Sequence, residues 1–214
     1  MRNPSGPAWS LVAGLLCAAS AAPANAATRV GIQGGGSFST FQTSPQEEGV
    51  DFGTRTGLVV GAVVDLGLGR RLTLRLEPAY AQRGSELVLR LFGEESRGKL
   101  KLEYVELPVL LKVGLSGGRI QPYLIGGPTL AYRLSAKTQA EAESEDVSES
   151  FQRWDFGIAA GGGLEFPAGS ASVFLEGRYN FGLTNTTAGE GAADFSAKNR
   201  GPQVVAGVTF AVGR

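Results

Sequence analysis

Histidine is missing from the 214 residues, and cysteine and methionine occur once each. Without histidine the chain lacks the commonest general base and the commonest metal ligand. The cysteine, Cys17, falls within the first 26 residues, which read as an export signal. Once that segment is removed, no thiol remains for a disulfide, a nucleophile or a thiolate metal site. Net charge is missing too, since 20 basic and 20 acidic residues cancel. A neutral chain gives no electrostatic case for nucleic acid as a partner. No apolar run reaches the roughly 20 residues of a spanning helix, and no useful helical period appears beyond the amino terminus. An exported, cysteine-free chain is left, and it depends on its fold for stability.

Residues 1–26 carry a positive start at Arg2, an Ala-rich apolar stretch from Ala8 to Ala22, and the A-x-A cleavage pattern Ala24-Asn25-Ala26. Leu16 precedes Cys17, where a lipoprotein signal would need a small residue. The remainder, 27–214, reads as one domain of ordinary size.

Glycine is abundant, at 32 residues, and with it comes a period of two. From Arg153 to Leu183 the positions Trp154, Phe156, Ile158, Leu164 and Phe166 alternate with Arg153, Asp155 and Glu165. After the turn Pro167-Ala168-Gly169-Ser170, the residues Val173, Leu175, Tyr179, Phe181 and Leu183 alternate with Ser172, Glu176, Arg178 and Asn180. Such alternation means extended strands with one apolar and one polar face. The arms match the roughly 9–11 residues of a tilted membrane strand, and aromatics gather near their ends, where interface girdles lie.

The same pattern recurs over Thr28–Phe41, Arg55–Leu66, Leu72–Tyr80 and onward toward Leu91, Lys99–Val113, Ile120–Lys137 and Asn199–Val212. Counting both hairpin arms gives eight strands. Their connections alternate short (67–71, 114–119, 167–170) and long (42–53, 90–98, 138–150, 184–198). The fold expected is all-β: an eight-stranded antiparallel up-and-down transmembrane barrel with short periplasmic turns and longer external loops. Leu100 and Leu102 differ in parity from Val105, Leu107 and Val109, which suggests a bulge near Glu103-Tyr104. Pro122 and Pro128 suggest a distorted strand, because proline cannot donate to a ladder.

On the polar parity lie Asp65, Arg75, Glu77, Glu106, Lys112, Arg133, Arg153, Asp155, Glu165, Glu176 and Arg178. Eight strands leave an interior just wide enough for side chains, and buried charges persist when paired. The expectation is therefore a lumenal ion-pair network that fills the barrel. Glu77 and Glu106 are conceivable as an acid/base pair, but no Gly-x-Ser-x-Gly and no histidine accompany them, so no enzyme is expected. The acidic stretch 138–150 lacks EF-hand spacing and reads as solvated loop. No cofactor and no metal are expected.

Three stretches are similar to the small outer-membrane β-barrel proteins of the "porin family", PorT-like type. They are Tyr104-Val105-Glu106-Leu107-Pro108-Val109-Leu110-Leu111-Lys112, Pro122-Tyr123-Leu124-Ile125-Gly126-Gly127-Pro128, and Arg178-Tyr179-Asn180-Phe181-Gly182-Leu183-Thr184-Asn185. The resemblance implies an eight-stranded barrel in the outer membrane of a Gram-negative-type cell, and no single activity. The expected partners are outer-membrane lipid and the barrel-assembly and periplasmic chaperone machinery. An envelope-structural or surface-interaction role through the external loops ranks first. A narrow porin-like channel is the alternative, and a soluble lipocalin-like barrel holding an apolar ligand is the third reading. The outward parity of the Trp154–Phe166 strand separates the last from the others.

Overall fold

The computed structural model describes residues 28–44, 50–91, 94–140, 143–146, 152–184 and 196–212; the expected signal at 1–26 lies outside them. The strands are β1 (Thr28–Ser44), β2 (Val50–Gly67), β3 (Leu72–Leu76), β4 (Ala79–Leu91), β5 (Glu94–Gly114), β6 (Gln121–Ala140), β7 (Glu143–Asp146), β8 (Trp154–Ala168), β9 (Ala171–Gly182) and β10 (Ser196–Val212). Every pairing is antiparallel, and β1 pairs with both β2 and β10, so the sheet closes on itself. Closure leaves no edge with unmet backbone groups. β3 and β4 form one stave, interrupted at Glu77-Pro78 because Pro78 has no N–H to give. The gap is bridged by Ala62 N–H donating to Pro78 O at 2.9 Å and Glu77 N–H to Pro108 O at 3.1 Å. The barrel is thus eight-stranded, with β7 as an added strand on β6.

Side-chain period sets what lies inside and outside. On β9, Ser172, Phe174, Glu176, Arg178 and Asn180 are buried while Val173, Leu175, Tyr179 and Phe181 are exposed. On β8, Trp154, Phe156, Ile158, Leu164 and Phe166 all face outward. A soluble barrel would show the reverse. The exposed apolar belt continues through Val30, Ile32, Leu58, Val60, Leu124 and Val204, far more than a water-soluble surface carries as one patch. Tyr132 and Trp154 meet edge to face at 4.9 Å, and Tyr179 and Phe181 lie tilted at 4.6 Å, as part of an aromatic band at the loop end. Phe166 and Phe210 mark the turn end.

Tight connections need local chemistry. Gly169 opens the two-residue link between Ala168 and Ala171 at φ 65°, the left-handed region that a hairpin turn of this kind demands. At Gly35 a Cβ would lie 2.0 Å from Val204 O, so only glycine lets β1 approach β10 there.

Four expectations change in detail. The register irregularity does fall opposite Glu103-Tyr104, but the extra residue is Leu134 of β6, which is exposed. β5 keeps one parity throughout, because Leu102 and Tyr104 are both buried in the interior; an inward leucine mimicked a slip. Around Pro128 the β5–β6 ladder lapses between Pro108↔Thr129 and Leu111↔Gly126 without changing register. The β4–β5 hairpin runs on to Leu91↔Glu94, so 94–98 belong to the ladder and not to a tip. Within 138–150, the segment Glu143–Asp146 pairs with Lys137–Ala140, giving a ribbon where a plain loop was expected. β1 and β2 likewise reach Ser44 and Val50, shortening the expected 42–53 loop. Strands of 17–21 residues on this side exceed the roughly 9–11 that span lipid. The barrel wall therefore stands beyond the membrane at its loop end.

Candidate functional site: the lumenal charge network

The lumen is built from the inward parity of the staves, and its middle is ionic. Arg75 of β3 sits opposite Asp65 of β2 in the ladder. Its Nε and Nη2 donate to the two Asp65 carboxylate oxygens at 2.7 and 2.8 Å, the bidentate fork that suits guanidinium to carboxylate. Nη1 reaches across the lumen to Glu176 of β9 at 3.2 Å and lies 3.8 Å from Glu77. Arg178 pairs with both Glu77 and Glu176, the latter at 3.1 Å. Tyr123 of β6 donates its hydroxyl to Glu176 at 2.9 Å. The Arg75 guanidinium stacks 4.5 Å from the Phe174 ring centre. Arg75, Glu77 and Glu176 have no solvent exposure at all.

Below it, toward the short turns, Lys112 pairs with Glu165 and lies 3.9 Å from Asp65, with its ammonium 4.5 Å over the Tyr123 ring. Above it, Arg83 pairs with Glu106 at 2.7 Å beside Tyr104. Asp155 accepts from the Thr184 hydroxyl at 2.6 Å, and Arg133, also buried, donates to Gln152 O at 3.2 Å. Apolar clusters fill the remaining interior: Val59, Val63, Ala79, Ala81, Phe174 and Val205 on one side, Leu110, Tyr123, Ile125 and Ala159 on the other.

Of the residues expected in the lumen, Asp65, Arg75, Glu77, Glu106, Lys112, Arg133, Asp155, Glu176 and Arg178 are buried there, and Glu165 is nearly so. Arg153 is the exception. It precedes the first residue of β8 and is exposed, while its carbonyl accepts from Arg133 N–H at 2.8 Å. Alternation does not govern a residue that has yet to enter the ladder. Glu77 and Glu106 do not form a carboxylate pair, since each is held by a different arginine. Sequence reading missed Arg83, although it continues the odd parity of Arg75 through the break at Pro78. It placed Asn180 on the polar face but not its contact, in which Asn180 donates to Gln203 of β10 at 2.8 Å. Among the described residues, no group of three or more acidic side chains is placed to hold a metal ion.

A closed antiparallel barrel with an apolar girdled exterior and an ionic interior defines an integral membrane β-barrel protein. The chain belongs to the outer membrane protein beta-barrel domain family, whose sequence model matches residues 19–188. It is an outer-membrane protein. No curated protein matches it significantly in sequence. Among solved structures it is similar to Neisserial surface protein A at 13% identity and a TM-score of 0.51, covering 86% of this chain and 97% of that one. It is also similar to the outer membrane protein OprG from Pseudomonas aeruginosa, at 14% identity, a TM-score of 0.51 and coverage of 88% and 97%. The outer membrane protease OmpT from Escherichia coli aligns with a TM-score of 0.51 at 10% identity, covering 88% and 97%. At such identities the likeness shows the fold alone. One of these structures is a protease by name, so the fold leaves the choice between enzyme and non-enzyme open.

Proposed function

We propose that the protein is a non-enzymatic, non-conducting outer-membrane barrel that acts through the wall and loops standing beyond the membrane. The observation that carries this reading is the middle layer of Asp65, Arg75, Glu77, Glu176 and Arg178, each of them ion-paired and buried. Such a layer leaves no continuous water path, and moving ions through it would require breaking several buried pairs at once. The extended β4–β5 hairpin and the β6–β7 ribbon supply surface where a partner could be engaged, giving an envelope-structural or surface-interaction role. Lipid is the partner of the outer belt, and the barrel-assembly and periplasmic chaperone machinery delivers the chain to it. Against catalysis stands the absence of histidine, together with carboxylates committed to arginines.

A narrow channel is the second reading. It is favoured by a cavity of about 340 Å³ at the short-turn mouth, which runs inward as far as Tyr123 and Lys112. Single-channel recording in a planar bilayer separates the two. Absent or rare, small openings are expected from the unmodified protein, and a steady large conductance would put the channel first.

A further inference from the structure

In the middle of the lumen three carboxylates, Asp65, Glu77 and Glu176, meet two guanidiniums, Arg75 and Arg178, and every one of them is ion-paired; at the short-turn mouth cations are in excess. The 340 Å³ cavity there is lined by Arg29 of β1, by Arg70 and Arg71 of the β2–β3 turn, and by Lys112. Lys112 is committed to Glu165. Arg29 sits directly opposite Asp65 in the β1–β2 ladder, the obvious carboxylate for it. Both Asp65 oxygens are nevertheless taken by Arg75. Arg29 instead donates to neutral oxygens, Thr209 Oγ1 at 3.1 Å and Ser170 O at 3.2 Å. Arg70 and Arg71 are exposed and make no ion pair among the described residues. Three arginines thus line one cavity whose carboxylates among the described residues, Asp65 and Glu165, are already committed to Arg75 and Lys112.

We propose that this mouth is an anion site for a phosphate-class ligand presented from the periplasmic side. Guanidinium forks recognise phosphate and carboxylate alike. A planar carboxylate, however, offers two oxygens, whereas a phosphate group offers oxygens in several directions and can accept from arginines on different walls. A cavity of this volume falls in the range of small-ligand sites. The phosphate could belong to a soluble molecule or to an inner-leaflet lipid headgroup, because the short turns lie at that interface.

The test uses the mature chain refolded in nonionic detergent at low salt and titrated with inorganic pyrophosphate, followed by phosphorus NMR and calorimetry. Saturable binding is expected. A charge-assisted hydrogen bond is worth enough that losing one weakens binding about tenfold or more, so Arg29→Gln and the paired Arg70→Gln/Arg71→Gln should each do so. Arg119→Gln, on the next turn but outside the cavity lining, should bind like the parent. Should Arg29→Gln fail to fold, the paired turn variant carries the test, because both its side chains are exposed. No saturable binding, or unchanged affinity in that paired variant, would overturn the proposal. Repeating the titration in nanodiscs identifies the source. Pyrophosphate binding lost in phosphatidylglycerol discs but kept in phosphatidylcholine discs assigns the site to an anionic headgroup; binding kept in both assigns it to a soluble phosphate.

Discussion

The inner and outer faces of β9 share one backbone and obey opposite rules. Outward, Val173, Leu175, Tyr179 and Phe181 need only match their surroundings, and one apolar side chain can stand in for another. Inward, Glu176 is held by Arg75 and Tyr123 of other staves, and Arg178 by Glu77 of another stave and Glu176 of its own, and neither can be exchanged without stranding a charge. The outer face is sensitive to polarity, the inner face to identity. A buried ion pair roughly offsets its own desolvation, so the lumenal network is weak evidence of high stability. Its contacts tie β9 to β3 and β6 across the lumen.

The sharpest way to break this comparison is to remove the arginine at the centre of the network. Arg75→Ala leaves Asp65 and Glu176 buried, with Arg178 and Lys112 as the nearby cations and the Tyr123 hydroxyl on Glu176. Breaking a buried pair from one side costs about 3–5 kcal/mol. We expect that loss in a urea titration of the mature barrel in lipid vesicles, read from Trp154, the only tryptophan beyond the signal region. A loss below about 1 kcal/mol, the scale of an exposed pair, would mean that water reaches the network and that the two faces differ less than argued.

The outer face gives the next effect. Leu175 is 50% exposed, near the middle of β9, and an arginine at the bilayer midplane costs about 2–4 kcal/mol. Leu175→Arg should lose that much in the same titration, whereas Leu175→Phe should be close to neutral. If the phenylalanine and arginine variants titrate alike, the outward belt is not in lipid.

Within the lumen, Glu106→Ala should cost less than Arg75→Ala, about 1.5–3 kcal/mol, the worth of a hydrogen bond to a charged group. It removes a single partner from Arg83, and that guanidinium retains a little solvent access. Equal losses for the two variants would show one cooperative network in place of separate layers.

These residues also show what a linear reading can reach. The β8–β9 hairpin was legible because its two faces differ in polarity at nearly every step, so parity alone assigns Glu176 inward and Leu175 outward. Eight strands and their order of short and long connections followed from the same period. Contacts across the lumen were not legible, because parity says that Arg75 and Glu176 face inward but not that staves β3 and β9 meet there. Arg83 keeps the parity of Arg75 and was within reach of the same period. Leu102 was misread because an inward apolar residue looks like a change of face. Arg153 failed for the opposite reason, since alternation was extended one residue past the end of its strand. The mouth arginines 70 and 71 sit in a turn, where no period exists to place them.

The smallest effect tests where the outer face ends. Phe166 is exposed two residues before β8 finishes at Ala168, beside the Gly169-Ser170 link, and so lies at the level of the headgroups and not of the acyl chains. The penalty for a cation on the outer face falls to about 0–1 kcal/mol near the interface, because a long side chain there reaches water while its stem stays against lipid. Phe166→Arg should therefore titrate within about 1 kcal/mol of the parent, despite being the same kind of change on the same face as Leu175→Arg. The contrast between the two positions measures depth and leaves the chemistry of the substitution constant. A loss at Phe166 as large as that at Leu175 would place the turn end of β8 inside the hydrocarbon. The apolar belt would then extend below the turns, and the mouth lined by Arg29, Arg70 and Arg71 would sit too deep to meet a ligand from the periplasm.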